Sequence, residues 1–374
     1  MLPYGRQNVT EDDIEAVATA LRSDWLTTGP RVAAFEADLA AVAGAPCVAV
    51  TSGTAALHVA YAAAGVGPGD EVVTSPMTFV ATASTAMMLG ATVVFADVED
   101  DTANLDPAAA EAAVTSRTRA ITAVDYAGHP AEYNELRKVT DTAGATLISD
   151  AAHAIGSTYR GRPVGSLADL TTFSFFPTKN LTTAEGGAVA ATDPLLAARA
   201  RDFKGIGMVR DRDKFRNPDD GGWYYEVQSF GLNNRLPDVL CALGSAQLRR
   251  LDAFKARRAE LTARYDLLLA DVPGLRLPTR RAWVDPLRHL YPVRVLDGRR
   301  REVYDGLRAA GIGVQVNYLP VYWHPLFEDL GYRRGMCPVA ERFYSEQLSL
   351  PLFVDLTDAD QDRVVESLRA VLGS

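Results

Sequence analysis

Along the first half of the chain, short apolar runs alternate with longer stretches whose apolar positions recur at helical spacing. The runs are "CVAV", "DEVVTS", "TVVFADV", "RAITAVDYAG" and "TLISDAA"; between them lie "GTAALHVAYAAAG", "FVATASTAMML" and "AEYNELRKVTDTAG". Apolar runs with little polar alternation predict strands buried on both faces. Strands that take turns with helices predict right-handed crossovers and a mainly parallel sheet. The stretch "NVTEDDIEAVATAL" opens the chain with a capped amphipathic helix. Further on, "DVLCALGSAQLRRLDAFKARRAELTARYDLLLADV" predicts one long charged helix. After it the rhythm changes to "RHLYPVRVL", a helix, "GIGVQVNYLP" and a closing helix. This pattern predicts a large α/β domain over residues 1–250 and a smaller C-terminal α/β domain over 251–374, the long helix bridging them. Between Gly205 and Gly222 the sequence has no clean period. A loop of that length reads as a lid or binding loop, or as local disorder.

Composition narrows the function classes. The 374 residues suffice for a sizeable core. A net charge of -9 argues against a broad nucleic-acid surface, although a local basic pocket for an anion remains compatible with it. The three cysteines, Cys47, Cys241 and Cys337, form no CxxC pair, which speaks against a disulfide framework or a zinc site. No apolar run is long enough to cross a membrane, and no signal sequence precedes the first helix, so a cytoplasmic location is expected.

In an open α/β sheet, chemistry collects just beyond the ends of the strands. Thr51-Ser52-Gly53-Thr54 ends one run and starts a helix, which makes an anion cradle of backbone N–H groups and hydroxyls; taken alone it reads first as an N-cap. Asp150 ends another run with His153 close behind, and by themselves they read equally as a cap and a packed histidine. "FSFFPTKNL" supplies Ser174 and Lys179, and "SPMTFVAT" supplies Phe79. Together these pieces match the needs of a pyridoxal phosphate site. Such a site takes a lysine for the Schiff base, a carboxylate for the ring nitrogen, a phosphate cradle and a flat side chain against the ring. The carboxylate matters because a nearby negative charge keeps the ring nitrogen protonated, which makes the ring an electron sink. No Walker motif, no GxGxxG after the first strand and no HExxH occurs, so nucleotide hydrolysis, hydride transfer and zinc peptidase chemistry lack support.

The stretches "TSGTAALH", "GPGDEVVTSPMTFVAT", "ISDAAHAIGSTYRGRPVGS", "FSFFPTKNLTTAEGGAV" and "GLNNRLPDVLCALGSAQLRRLD" resemble the DegT/DnrJ/EryC1/StrS sugar aminotransferases from about Pro3 to the final helix. The resemblance implies the aspartate aminotransferase-like fold type I of pyridoxal-phosphate-dependent transferases. It further implies that Lys179 binds the cofactor covalently and shuttles a proton, that Asp150 pairs with the ring nitrogen, and that His153 lies near the ring oxygen. Gly53, Thr54 and Ser174 would hold the phosphate, and Phe79 would stack on the ring. Asn233 and Arg235 would reach the phosphate region of the other subunit's site, which makes a homodimer with shared active sites part of the expectation. Thr28, Glu185 and Tyr318 would border the sugar.

Within the family, "SDWLTTGP", "VDYAG", "RHLYPV" and "VQVNYLPVY" look most like the pseudaminic-acid-pathway enzymes that aminate C4 of UDP-4-keto-6-deoxy-N-acetylhexosamines. The resemblance therefore implies a pyridoxal 5'-phosphate enzyme, with pyridoxamine phosphate as its intermediate form, that moves an amino group from L-glutamate to a nucleotide sugar. A UDP-linked N-acetyl sugar is favoured over a dTDP sugar. Asn317 departs from that branch, which has histidine there, and the loop "MVRDRDKFRNPDDGGWYYEV" is this chain's own; its Arg210, Arg212 and Arg216, with Tyr224, are candidate nucleotide contacts. The alternatives are a C3 keto-sugar or cyclitol aminotransferase, a pyridoxamine-dependent dehydratase and a noncatalytic binding protein. Lys179 speaks against the dehydratase, whose relatives carry histidine there. The intact set Lys179, Asp150 and Ser174 speaks against the noncatalytic protein.

Overall fold

The computed structural model describes residues 1–373. Its main sheet has seven strands: β1 Cys47–Val50, β2 Glu71–Thr74, β3 Thr92–Phe95, β4 Thr118–Val124, β5 Thr146–Asp150, β6 Leu170–Ser174 and β7 Gly187–Ala191, in the order β1-β7-β6-β5-β4-β2-β3. All pairings among β2 to β6 are parallel, while β7 runs antiparallel to both β1 and β6. The five strands predicted from the opening half are present, and the sheet is mainly parallel. Strand β7, "GAVAA", is too short and too small-residued to stand out in the sequence.

Successive strand residues face opposite sides of the sheet, and here both sides are covered. Val48, Val72, Ile148 and Val189 belong to one apolar cluster, and their neighbours Ala49, Val73, Leu147 and Ala188 to the other. Truncating a residue of this kind, such as Ile148→Ala, costs about 2–5 kcal/mol through lost burial and the cavity left behind. Helix α1 (Glu11–Leu21) starts with the expected cap, Thr10 and Asp13 bonding each other's backbone in a capping box. Helix α2 (Pro30–Ala43) follows, and α3 (Gly53–Ala63) and α4 (Ala81–Met88) leave directly from the carboxyl ends of β1 and β2.

The predicted single bridging helix is two helices, Asp238–Leu248 and Leu251–Leu269. The break falls at Arg250, whose backbone leaves helical geometry (φ -105, ψ 3) while its guanidinium bonds Asn8 and Asp13 at the other end of the chain. Past this point a three-stranded antiparallel sheet, β8 Leu275–Arg276, β9 Tyr291–Val295 and β10 Gln347–Leu350, packs with helices Arg300–Ala309 and Asp358–Leu372 around Leu261, Tyr265, Val293, Leu307 and Val364. Val321, Tyr322, Phe327, Cys337 and Phe343 lie instead in an apolar cluster of the main sheet. The aperiodic segment after Gly205 is partly ordered into a ribbon, Met208–Val209 pairing antiparallel with Glu226–Val227. Among the described residues no helix is long and apolar enough to cross a membrane.

Candidate active site

The carboxyl ends of β1, β2, β5 and β6 open onto a cavity of about 440 Å³. Of the residues singled out in the sequence, Gly53, Thr54, Phe79, Asp150, His153, Ser174, Lys179, Glu185 and Tyr318 all line it. Each arrives there for a local reason. Ser52 caps α3 by accepting from the N–H of Ala55 at 3.0 Å, so the capping role of this turn is real, and it aims the first turn of α3 at the cavity. Gly53 is required by close approach: a Cβ there would lie 2.7 Å from the Cβ of Ser174. Lys179 rides the loop that reverses β6 into β7, a loop pinned by Phe175 N–H to the Gly186 carbonyl and by Thr183 N–H to the Phe175 carbonyl.

The electrostatics of the cavity floor follow from burial. Lys179 is brought down to about 8 by burial, with the Asp150 carboxylate pulling the other way. Burial raises Asp150, against hydrogen bonds from the Thr82 hydroxyl (2.6 Å) and the Ala152 N–H (3.2 Å) and the charge of Lys179. The amine is thus held closer to neutrality than a surface lysine, near the one buried carboxylate of the cavity lining. Burial, and secondly Lys179, hold His153 well below its usual value, so it is neutral. Its Nδ1 accepts the N–H of Ala127 at 3.3 Å, which assigns the proton to Nε2, and Nε2 donates to the Tyr318 hydroxyl at 3.0 Å. The His289 ring lies 4.5 Å from that of His153 and also lines the cavity. Asp125, at the end of β4 beside Asp150, is fully buried and pushed up to about 7 by burial; it accepts from Ala131 N–H and from the Tyr133 and Ser149 hydroxyls, holding the turn that carries Ala127.

Three expected residues do not line the cavity of this chain. Thr28 is exposed on the turn between α1 and α2, whose next residue, Gly29, is anchored by its N–H to Asp238 at 2.7 Å. Asn233 and Arg235 lie in a segment that bridges Gly205 and Val50, alongside the end of β1 but outside the cavity. The loop residues are also elsewhere: Arg212 pairs with Asp219 at 2.9 Å, Arg210 lies over the ring of Tyr225, and Tyr224 bonds Glu226. The cavity wall contains no arginine. Conversely, Tyr4, Thr78, Thr82, Phe176 and Gln315 line the cavity without having been singled out. Thr78 and Thr82 were within reach, because the spacing i, i+4 in "MTFVAT" puts two hydroxyls on one face of a helix start. Tyr4 had no signal, since nothing local in "MLPYG" places it beside β5 and β6.

The fold is that of the pyridoxal-phosphate-dependent aminotransferases, a large mainly parallel α/β sheet with the lysine on the β6–β7 loop. The chain belongs to the DegT/DnrJ/EryC1/StrS aminotransferase family, whose model matches residues 7–369. It is 40% identical over 383 aligned positions to the spore coat polysaccharide biosynthesis protein SpsC of Bacillus subtilis, covering 99% of this chain and 97% of that one. Among solved structures, Spr1654 of Streptococcus pneumoniae in its PMP form superposes with a TM-score of 0.94 at 32% identity, covering 100% of this chain and 99% of the other. Helicobacter pylori PseC, an aminotransferase involved in the biosynthesis of pseudoaminic acid, superposes with a TM-score of 0.92 at 30% identity, covering 100% and 99%.

Proposed function

We propose that this aminotransferase moves an amino group from L-glutamate to the C4 keto carbon of a nucleotide-linked 4-keto-6-deoxyhexose. A UDP-N-acetyl sugar is the favoured substrate and a dTDP sugar the second. The observation that carries the reading is the cavity floor itself, where Lys179, lowered to about 8, faces Asp150 beside a cradle at the start of α3. These residues fit pyridoxal 5'-phosphate: Gly53 lets the first turn of α3 pack against Ser174, so that backbone N–H groups and hydroxyls share one wall of the cavity as a phosphate cradle, and the one buried carboxylate of the lining, Asp150, suits a cationic ring nitrogen. Once bound, the cofactor supplies an electrophilic carbon and an electron-withdrawing ring, in pyridoxal and pyridoxamine forms.

The chain's own side chains do the rest. Lys179 holds the cofactor and then, as an amine near neutrality, takes and returns the proton at the reacting carbon. Asp150 would hold the charge on the ring nitrogen, and neutral His153, its Nε2 proton held by the Tyr318 hydroxyl, would lie near the ring oxygen. Gly53, Thr54 and Ser174 take the phosphate, Phe79 covers the ring, and Glu185 and Tyr318 border the sugar. With no arginine in its wall, the cavity of one chain is short of cations for a nucleotide diphosphate. Asn233 and Arg235 of a second copy would reach the phosphate region beside the cradle, which makes a homodimer with shared sites part of the reading, and Thr28 would border the sugar. The exposure of Phe230, 98%, and Trp223, 75%, supports a second copy covering the ribbon.

The test is a mass-spectrometric screen of 4-keto sugars on UDP and dTDP with glutamate as donor. Amination of a nucleotide-linked keto sugar is expected. Turnover confined to free cyclitol ketones or keto acids overturns the substrate while leaving the cofactor in place.

A further inference from the structure

Threonines near a helix start usually return their hydroxyl to their own backbone. Thr85 in α4 does so, donating to the Ala81 carbonyl at 2.8 Å. Thr82, one turn earlier, does not. Its hydroxyl crosses to β5 and donates to Asp150 Oδ2 at 2.6 Å, and the Thr78 hydroxyl lies 2.7 Å from the Thr82 hydroxyl. An ionised carboxylate can only accept, so the Thr82 proton points to Asp150 and Thr78 must donate to Thr82, which gives the chain one direction. Thr82 has no exposed surface and Thr78 almost none, and both contribute to the cavity lining. The Thr82 backbone is itself fixed, because the Tyr61 hydroxyl, buried beneath the sheet, donates to its carbonyl at 2.9 Å. The opposite oxygen of Asp150 is held by the Ala152 N–H.

We propose that Thr82, oriented by Thr78, is a positioning residue that fixes Asp150 as an ionised, single-rotamer partner for the ring nitrogen of bound pyridoxal phosphate. The inference rests on the cofactor site proposed above. Asp150 is buried where its charge is costly, and one donor on each of its oxygens, the Thr82 hydroxyl and the Ala152 N–H, offsets that cost before the cofactor arrives. A charge-assisted hydrogen bond between buried groups is among the stronger contributions a single hydroxyl can make. The alternative is that Thr82 merely fills space, in which case its methyl group matters and its hydroxyl does not.

The experiment compares Thr82→Val, which keeps the branched shape and loses the hydroxyl, with Thr82→Ser, which keeps the hydroxyl and loses a methyl. Both are titrated with pyridoxal phosphate in the absence of substrate, and the nitrogen-15 signal of ring-labelled cofactor is recorded in the bound state. Thr82→Val is expected to bind the cofactor about tenfold more weakly, the size of one hydrogen bond to a charged group. Its bound nitrogen signal should move toward that of neutral pyridine. Thr82→Ser should stay within about threefold of wild type with an unmoved signal. Equal affinity and equal nitrogen signals in wild type and Thr82→Val overturn the proposal, as does a Thr82→Ser protein that behaves like Thr82→Val. If Thr82→Val is recovered only as insoluble protein, Thr78→Val carries the test, with a smaller shift in the same direction expected and an unmoved nitrogen signal overturning the idea. Wild-type protein that binds no cofactor defeats the site reading itself, an outcome distinct from all of these.

Discussion

The floor of the cavity and the ribbon after Gly205 treat their chemical groups in opposite ways. On the floor, Asp150, His153 and Thr82 are buried, and the side chain of each of these three meets a partner from the same chain, while His289 Nδ1 and Asn317 Oδ1 in the same lining have none. On the ribbon, Trp223, Tyr225, Val227 and Phe230 stand in water, and the arginines answer mostly to acids and rings of the ribbon itself. Burying a polar group without a partner costs on the order of 1–3 kcal/mol, so a buried site must be finished within the fold that buries it. An exposed apolar surface carries no such obligation and is finished by whatever covers it. The floor is therefore the part of the proposed active site that one chain largely determines, and the ribbon is the part that the proposed homodimer would cover.

The floor can be broken most completely at its lysine. Lys179→Ala is expected to lower turnover by about 10⁴-fold, because it removes both the covalent anchor and the proton carrier. Borohydride reduction of wild-type holoenzyme followed by peptide mapping should place the phosphopyridoxyl label on Lys179. A label on another lysine would refute the assignment. Asp150→Asn should follow at roughly 10²- to 10³-fold, the cost of removing one preorganised charge from a catalytic site, with an unchanged circular dichroism spectrum. Near wild-type turnover in this variant would reduce Asp150 to a turn residue.

The ribbon is broken differently. Phe230→Asp places a charge where an exposed ring waits to be covered, and loss of that burial should raise the dimer dissociation constant by at least roughly 30-fold. Sedimentation of the variant checks this, and an unchanged association state would remove the ribbon from the interface. The two regions are then joined in one measurement. Lys179→Ala and Asn233→Ala homodimers should each be weak, yet after subunit exchange half of the dimers are mixed and one of their two sites has both residues. About a quarter of wild-type activity should return. No recovery despite demonstrated exchange would mean that each chain builds its own site.

How much of this was legible in the sequence follows the same division. The cradle, Asp150, Ser174 and Lys179 were readable because each follows directly on an apolar run, and in a parallel sheet all such ends share one edge. Strand β7 escaped because "GAVAA" carries no bulky pattern, although it alone explains why the Lys179 loop turns back. The helix break at Arg250 escaped because its cause is Asn8 and Asp13, more than two hundred residues away. Tyr4 and Gln315 reach the cavity only through long-range pairing, Leu2 with Ile312 and Gln315 with Ser349, which no local period encodes. Thr82 was legible as a helix residue but not as a donor to Asp150, since its hydroxyl departs from the usual bond to its own helix.

The smallest effect concerns what the floor costs the fold. Burial brings the Lys179 amine from 10.5 to about 8 in the cofactor-free chain, although Asp150 opposes the shift. A lysine with a lower value folded than unfolded binds fewer protons in the folded state between those two values. Its penalty on stability is therefore fully present below about 8 and is relieved as pH rises toward 10.5. Lys179→Met has no amine to charge, so this part of the pH dependence vanishes while the packing of the stem is retained. The cofactor-free variant is expected to melt above cofactor-free wild type at about pH 7, with the gap narrowing toward about pH 10, where the wild-type amine is neutral in the folded state. Comparing the two proteins cancels the tyrosines and other lysines that titrate in the same range. Melting curves that keep a constant separation from pH 7 to 10 would show that the amine is solvated like a surface lysine. The floor would then share the openness of the ribbon, and the contrast between a buried region and an exposed one would fail at its central residue.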